Sequence, residues 1–393
     1  MLRTSFRRSC RTAGVAAAIR DAGVPAHGRQ ASVRSARGTA AGPAAAPARA
    51  ASCPRGPSAG SHAQQRGPHV SDVVVGVDLG GTKTAAALVS ADGAVGPVRS
   101  APTPAQAGPQ AVLDTVAALV REVVAAGGTL TAPDGTSRQV PAGARIGGVG
   151  VGTAGVVDTT SGTILSATDA ILGWTGTAVR AGLQERLADL LADAPVTVEN
   201  DVDAHAGGEV WLGAAAGLDS VLMVAVGTGV GAGLVLDGRP LRGTRHVAGE
   251  MGHLPSPDAV GMRCGCGRDG HLEALGSGPA LHRHYLRLGG SPDVPDTRAV
   301  YARAVAGEEL ALRAVTDSAR AVGRAVAGVV TVLDPAAVVV GGGMSQAGPL
   351  WWEPMVATVR AELIEPLADV PVLPSALGPV AAVLGAARTA LRA

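Results

Sequence analysis

The sequence predicts an α/β protein of two lobes behind a disordered N-terminal extension. Three observations carry this reading. Composition changes abruptly near residue 71 of the 393-residue chain. A unit of strand, glycine-rich turn with a threonine, and second strand occurs twice, once in each half of the remainder. Around these units apolar strand runs alternate with amphipathic helical stretches, the pattern of α/β sheets. At 47% hydrophobic the chain can bury a sizeable core, and at 2% aromatic that core is mainly Val, Leu and Ala.

Residues 1–71 hold 11 Arg and one Asp, a charge of +10 against −9 for the rest, concealed in a net +1. This segment is rich in Ala, Gly, Pro, Ser and Arg without sustained apolar period, so disorder is expected. Three origins fit it: a targeting peptide, a nucleic-acid or membrane-binding arm, and upstream sequence translated from a start codon assigned too early. The last is favoured. Lys83 is the single lysine among 33 basic residues, a skew that reads as GC-rich coding bias. No run approaches the roughly 18 apolar residues of a membrane helix. With Cys10 and Cys53 in the extension and Cys264 and Cys266 clustered, no disulfide framework is suggested, and a reducing cytoplasm is expected.

Order is expected from Asp72. Residues 73–77 read as a buried strand, with Asp78 at its end before Gly80-Gly81-Thr82-Lys83 and a second strand over 84–89. An Asp92-Gly93 turn leads to a third strand. The glycines let backbone N–H groups and a Thr hydroxyl approach a phosphate, and a strand-end carboxylate can hold Mg²⁺. The spacing matches neither GxxxxGK[ST] nor GxGxxG, and an ordinary hairpin with an Asp at its mouth is the bland alternative.

A helix over 109–126 places Val112, Val116, Leu119, Val120 and Val123 on one face. After a Gly/Pro/Thr loop, a strand over 145–151 runs into GTAGVVD (152–158), glycine-rich backbone at a position where α/β sheets bind ligands. A helix over 177–191 precedes a strand over 196–198 ending in Glu199-Asn200-Asp201, where another helix begins. Either Asp201 or Asn200 is its N-cap. In the competing reading Asp201 is a general base, with Asn200 beside it to bond substrate hydroxyls.

The strand over 220–226, the turn GTGVGAG (227–233) and the strand over 234–236 repeat the unit around Asp78. Two such hairpins, one per half, could clamp a polyphosphate between lobes, with glycine allowing close backbone approach. Further helices are expected over 279–288, 308–333, 350–362 and 379–391, with strands over 338–340 and 370–373. Gly341-Gly342-Gly343 suits a base or ribose lying flat against backbone, and suits a tight turn nearly as well.

Residues 246–273, HVAGEMGHLPSPDAVGMRCGCGRDGHLE, contain both cysteines of the body, three of the nine histidines, and Glu250 and Glu273. A loop this long and irregular is functional or disordered. Its density of ligand-type side chains points to a metal-clipped loop presenting carboxylates to a ligand.

Taken in order, DLGGTKT, GTAGVVD, ENDVDA, GTGVGAG, AGEMGH and CGCGRDGHLE resemble the ROK family of sugar kinases and sugar-responsive repressors, from about Asp72 onward. The resemblance implies a two-lobed actin-like (ribonuclease-H-like) ATPase fold. Its N-terminal lobe would span 72–199, completed by a C-terminal helix over 378–393, and its second lobe 200–377, carrying the loop 246–273. It implies ATP-dependent transfer of the γ-phosphate to a hydroxyl, usually the 6-hydroxyl, of a hexose or N-acetylhexosamine, with Asp201 as base. Asn200, Glu250, His253 and Glu273 would bind the sugar, and Gly155 lies in the turn that closes beside it. Asp78, Gly80, Gly81, Thr82, Lys83, Thr84, Gly227, Thr228, Gly229 and Gly231 would hold phosphates and Mg²⁺, with Gly342 and Gly343 near the adenosine. Phosphoryl transfer asks chiefly for positioning and charge neutralisation, which these residue types supply.

The family's zinc is held by one His and three Cys. Here His253, Cys264 and Cys266 match, and His271 stands at the third Cys position, leaving a Cys₂His₂ set suited to structural Zn²⁺. Ala154 replaces the Pro of many family kinases, which puts sugar preference rather than chemistry in doubt. Glucose and N-acetylglucosamine lead among the sugars. A homodimer without nucleic-acid or membrane partners is expected. The alternative is a sugar-sensing transcriptional regulator of the same family without its DNA-binding domain. Residues 1–71 show no pair of amphipathic helices to make that domain, and the set Asp78, Lys83 and Asp201 favours catalysis.

Overall fold

The computed structural model describes residues 72–393, residue 169 excepted; the expectations for residues 1–71 lie outside them. The first half opens with the expected hairpin of β1 (Val73–Leu79) and β2 (Lys83–Ser90), extended by β3 (Arg99–Pro102). Helix α1 (Pro109–Ala126) starts on a proline, whose missing N–H is no loss in a first turn. It buries the five residues of its predicted stripe against this sheet.

The following stretch, expected as loop, is a short hairpin of β4 (Gly128–Thr131) and β5 (Ser137–Val140). β6 (Val149–Thr153) begins later than the predicted residue 145, because the approach through Gly147-Gly148 is irregular. β7 (Val156–Asp158) and β8 (Thr163–Ser166) form a second small hairpin. The single helix expected over 177–191 is broken into α2 (Val179–Arg186) and α3 (Ala188–Leu191), with fully buried Leu187 at the break. β9 (Val196–Asn200) completes a five-stranded sheet of order β3-β2-β1-β6-β9, in which β1, β6 and β9 run parallel.

Helix α4 (Asp201–Leu212) leads to the second half. There β10 (Val221–Val226), β11 (Val230–Leu236) and β12 (Arg239–Pro240) form a meander. Past the loop come α5 (Glu273–Gly276), α6 (Gly278–Arg287), α7 (Thr297–Val305, not anticipated) and the long α8 (Glu309–Leu333). β13 (Ala337–Gly341), α9 (Pro349–Glu362), β14 (Val372–Pro374) and α10 (Ala381–Leu391) follow. The second sheet has the order β12-β11-β10-β13-β14. The glycine turn expected over 227–233 ends at Gly229. Gly231 and Gly233 lie inside β11, where added Cβ atoms would meet Val202 and Ala206 of α4, so their small size seats that helix.

Between the sheets α4 and α10 meet almost backbone to backbone. A Cβ on Gly208 would lie 2.1 Å from the Ala381 carbonyl oxygen, and one on Gly385 would lie 1.7 Å from that of Ala204. α10 also lies flat on the first sheet, where Cβ atoms on Gly76 and Gly150 would come within 2.1 and 1.9 Å of its carbonyls. Val383, Leu384, Ala387 and Ala390 there bury Val74, Ala85, Ala87 and Val89. The two helices thus fix how the strand ends of both sheets present themselves to the site. Among the described residues no helix is long and apolar enough to cross a membrane.

Candidate active site

The parallel strands of both sheets carry the site on their C-terminal ends, the usual place for ligands in α/β sheets. Asp78, Gly152 and Glu199 are register partners across β1, β6 and β9. Gly152 must be small: a Cβ there would stand 2.9 Å from the Ala204 Cβ and 3.6 Å from the Asp201 Cα. The first turn of α4 therefore settles over the end of β6 and brings Asp201 beside Asp78.

The choice between cap and base divides between two residues. Asn200 is the N-cap: its side-chain oxygen accepts from the N–H of Val202 at 2.8 Å and of Asp203 at 3.2 Å. Its amide donates to the Gly155 carbonyl at 3.0 Å. Gly155 holds that place at φ +100°, where a Cβ would meet the Ser166 carbonyl at 2.8 Å. Capping is thus met without Asp201, whose carboxylate accepts from the Val202 N–H at 2.9 Å and otherwise belongs to the site.

Burial pushes the Asp201 carboxyl above the usual range, with the Val202 N–H and Asn200 opposing. Asp78 is pushed up to about 6, by burial and then by Asp201, with Lys83 pulling the other way. Glu250 is raised by burial, His253 opposing, and by the charges of Asp201 and Glu273. Four carboxylates therefore share one field with a single nearby lysine. Such a donor set suits a hard divalent cation at Asp78 and hydroxyl donors at the others.

Several expected phosphate contacts are differently employed. Thr84 is fully buried, and its hydroxyl lies 2.8 Å from that of Thr103, which donates to the Gly80 carbonyl at 2.7 Å. Thr84 shapes the Gly80-Gly81-Thr82 turn from behind rather than facing it. Thr103 was missed by sequence reading, and no local signal marks it. On the second sheet Gly342 sits at φ +83° with its Cβ position 2.4 Å from the Val226 carbonyl oxygen, so only glycine fits. A Cβ on Gly227 would lie 3.8 Å from the Gly343 nitrogen, so the turns after β10 and β13 adjoin, and Gly343 borders open space.

Behind the site, Arg242 donates to both Glu199 and Asp203, while Glu199 accepts from the Thr389 hydroxyl at 2.7 Å. This buried network was not anticipated. It ties β9, α4, α10 and the segment after β12 together directly beneath Asp201. Burial pushes Asp203 up to about 7 against the opposing charge of Arg242.

The loop 246–273 brings its four metal-type residues together. One ligand atom from each of His253, Cys264, Cys266 and His271 lies within 4.8 Å of every other. The Cys264 Sγ is 3.7 Å from His253 Nδ1, and the Cys266 Sγ is 3.2 Å from His271 Nδ1. Ligands around tetrahedral zinc stand about 3.3–3.8 Å apart at ordinary bond lengths, so the residues fit that ion. Burial, then Cys266 and Glu273, push the Cys264 thiol up to about 11, and a cation is what converts such a thiol to a ligand. His253 turns Nδ1 to this cluster and Nε2 towards Glu250, 3.8 Å away.

A strand–turn–strand unit in each sheet, Asp78 and Asp201 close enough to feel one another's charge, and α4 packed on α10 between the sheets fit a phosphotransferase of the actin-like ATPase class. The chain belongs to the ROK family, whose model matches residues 74–393. It is 32% identical over 339 residues to a glucokinase of Streptomyces coelicolor, covering 80% of this chain and 96% of that one. To an N-acetylmannosamine kinase of Escherichia fergusonii it is 32% identical over 275 residues, 69% and 83% of the two chains. The structure of a ROK family glucokinase from Streptomyces griseus in complex with glucose and AMPPNP matches with TM-score 0.67 and 30% identity, over 82% of this chain and 100% of that one. These relatives support a kinase acting on sugars.

Proposed function

We propose that the protein is an ATP-dependent kinase of a hexose or N-acetylhexosamine, phosphorylating the 6-hydroxyl with Asp201 as general base. The observation that carries this reading is the division of labour at the start of α4. Asn200 takes the cap, and Asp201, its carboxyl raised by burial, stands next to Asp78. A sugar hydroxyl is a poor acid, and a carboxylate raised above its usual range is a better acceptor for its proton. As that proton moves to Asp201, the hydroxyl oxygen bonds to the γ-phosphorus and the bond to the β,γ-bridging oxygen breaks, releasing ADP. Mg²⁺ bound through Asp78 would neutralise phosphate charge. Glu250, His253 and Glu273 would orient the sugar, and Lys83 with the Gly80-Gly81-Thr82, Gly227-Thr228-Gly229 and Gly342-Gly343 turns would face the nucleotide. Zinc in the Cys₂His₂ set would be structural, since four protein ligands leave no open position.

The reading also holds the protein to be a cytoplasmic homodimer. Glucose and N-acetylglucosamine are the first substrates to try, with N-acetylmannosamine next. A coupled ADP-release assay over a sugar panel tests it, and turnover of none of these sugars would sink the kinase reading. Asp201→Asn is expected to lose at least about 10²-fold in kcat while melting like the parent.

A further inference from the structure

The loop 246–273 and the turn between β10 and β11 would serve different substrates, yet they are built into one another. Glu273 opens α5 with its carboxylate between them. Its Oε2 accepts from the N–H of Val230, the first residue of β11, at 3.1 Å. Its Oε1 lies 3.9 Å from the Cys264 Sγ. The turn is shaped to admit it, since a Cβ on Gly229 would stand 2.8 Å from Oε2. Other contacts brace the same turn. The Gly278 N–H donates to the Gly227 carbonyl at 2.8 Å. A Cβ on Gly252 would fall 2.1 Å from the Val230 carbonyl oxygen, so the short turn Met251–His253 presses on the backbone of β11.

We propose that Glu273 is a positioning residue for the turn Gly227-Thr228-Gly229, through which the metal-clipped loop governs phosphate binding as well as sugar binding. The proposal rests on the kinase reading above. One carboxylate oxygen fixes the orientation of the Val230 peptide, and with it the turn that precedes it. An N–H deprived of its acceptor in so closed a place drives its backbone to move. The other oxygen lies on the thiol side of the cluster, and Glu273 follows the cluster residue His271 by two positions, so the ligands that hold the loop also set where α5 begins and with it the carboxylate. Losing the metal frees Cys264 and His253, and the brace on β11 goes with them. A carboxylate that only bound sugar would leave the nucleotide side untouched.

The test is calorimetric binding of a non-hydrolysable ATP analogue with Mg²⁺, in the absence of sugar. It compares full-length zinc-replete protein, the same protein stripped with a chelator, Glu273→Ala and Glu273→Gln. Stripped protein and Glu273→Ala are expected to bind the nucleotide about tenfold more weakly. Glu273→Gln keeps an oxygen for the Val230 N–H and should stay within about twofold of the parent. Circular dichroism and melting report the fold of each sample. If stripping unfolds the chain, Glu273→Ala with its zinc retained decides the matter. Should that variant not fold, Glu273→Asp, one methylene short of Val230, takes its place with the same expectation. Nucleotide affinity equal to the parent's in the folded samples overturns the proposal. A zinc-replete parent that binds no nucleotide brings down the kinase reading instead.

Discussion

In the first half the meander β3-β2-β1 continues into the parallel strands β6 and β9 and then into α4. In the second, β12-β11-β10 continues into β13 and β14 and then into α10. The two runs share one plan but carry different chemistry. The turn after β1 brings charge, Asp78 and Lys83, whereas Gly227-Thr228-Gly229 has none and is braced by Glu273 from the end of the loop 246–273. α4 begins on a capping Asn200 with Asp201 and Asp203 in its first turn. α10 begins without a side-chain cap or an acid. The same placement occurs twice, and the buried acids Asp78 and Asp201 stand on only one copy.

Four experiments press on this contrast. The largest effect is expected where the copies touch. Gly385→Ala would put a Cβ 1.7 Å from the Ala204 carbonyl and should cost about 3 kcal/mol of stability by denaturant unfolding. Gly343→Ala, with open space around its Cβ position, should change stability by less than about 0.5 kcal/mol; any effect there belongs to nucleotide affinity.

The charged copy should also give the ligand-free protein a pH signature. Asp78, Asp201, Asp203 and Glu250 all hold their protons more tightly folded than unfolded. The folded state therefore binds more protons, and its stability falls as pH rises through the window between the unfolded carboxylate range and the raised values of about 6 for Asp78 and about 7 for Asp203. Melting temperature should decline from about pH 5 to about pH 8, and Asp78→Asn should flatten the decline. A melting temperature that climbs over this range would contradict the assignment. Asn200→Ala loses the cap and should cost about 1 kcal/mol, well below Gly385→Ala, with reduced turnover because the tie to Gly155 is lost as well.

Legibility followed the length of the pattern. α8 (Glu309–Leu333) starts one residue from its expected position because its apolar stripe repeats over many turns. Four-residue strands such as β4 and β5 carry too little alternation to be read. In the loop, residue types alone pointed to a metal clip, the family resemblance singled out His253, Cys264, Cys266 and His271, and the structure brings these four together. Arg242 was not visible, since its meaning lies in Glu199 and Asp203, 43 and 39 residues away. Thr84 and Gly231 were picked out for the right residue types. One hydroxyl is buried against Thr103, and the glycine lies within β11 under Val202.

The seat of α10 has a consequence for the order in which the protein is made. Val74, Ala85, Ala87 and Val89 of β1 and β2 are buried by Val383, Leu384, Ala387 and Ala390, which follow both sheets. One apolar face of that sheet therefore waits uncovered until α10 has been made. Domains that fold as they emerge avoid such an interval. Here the sheet of β1 and β2 is closed on that face only by α10, so a chain arrested between them presents a sticky, unfinished surface to the cell.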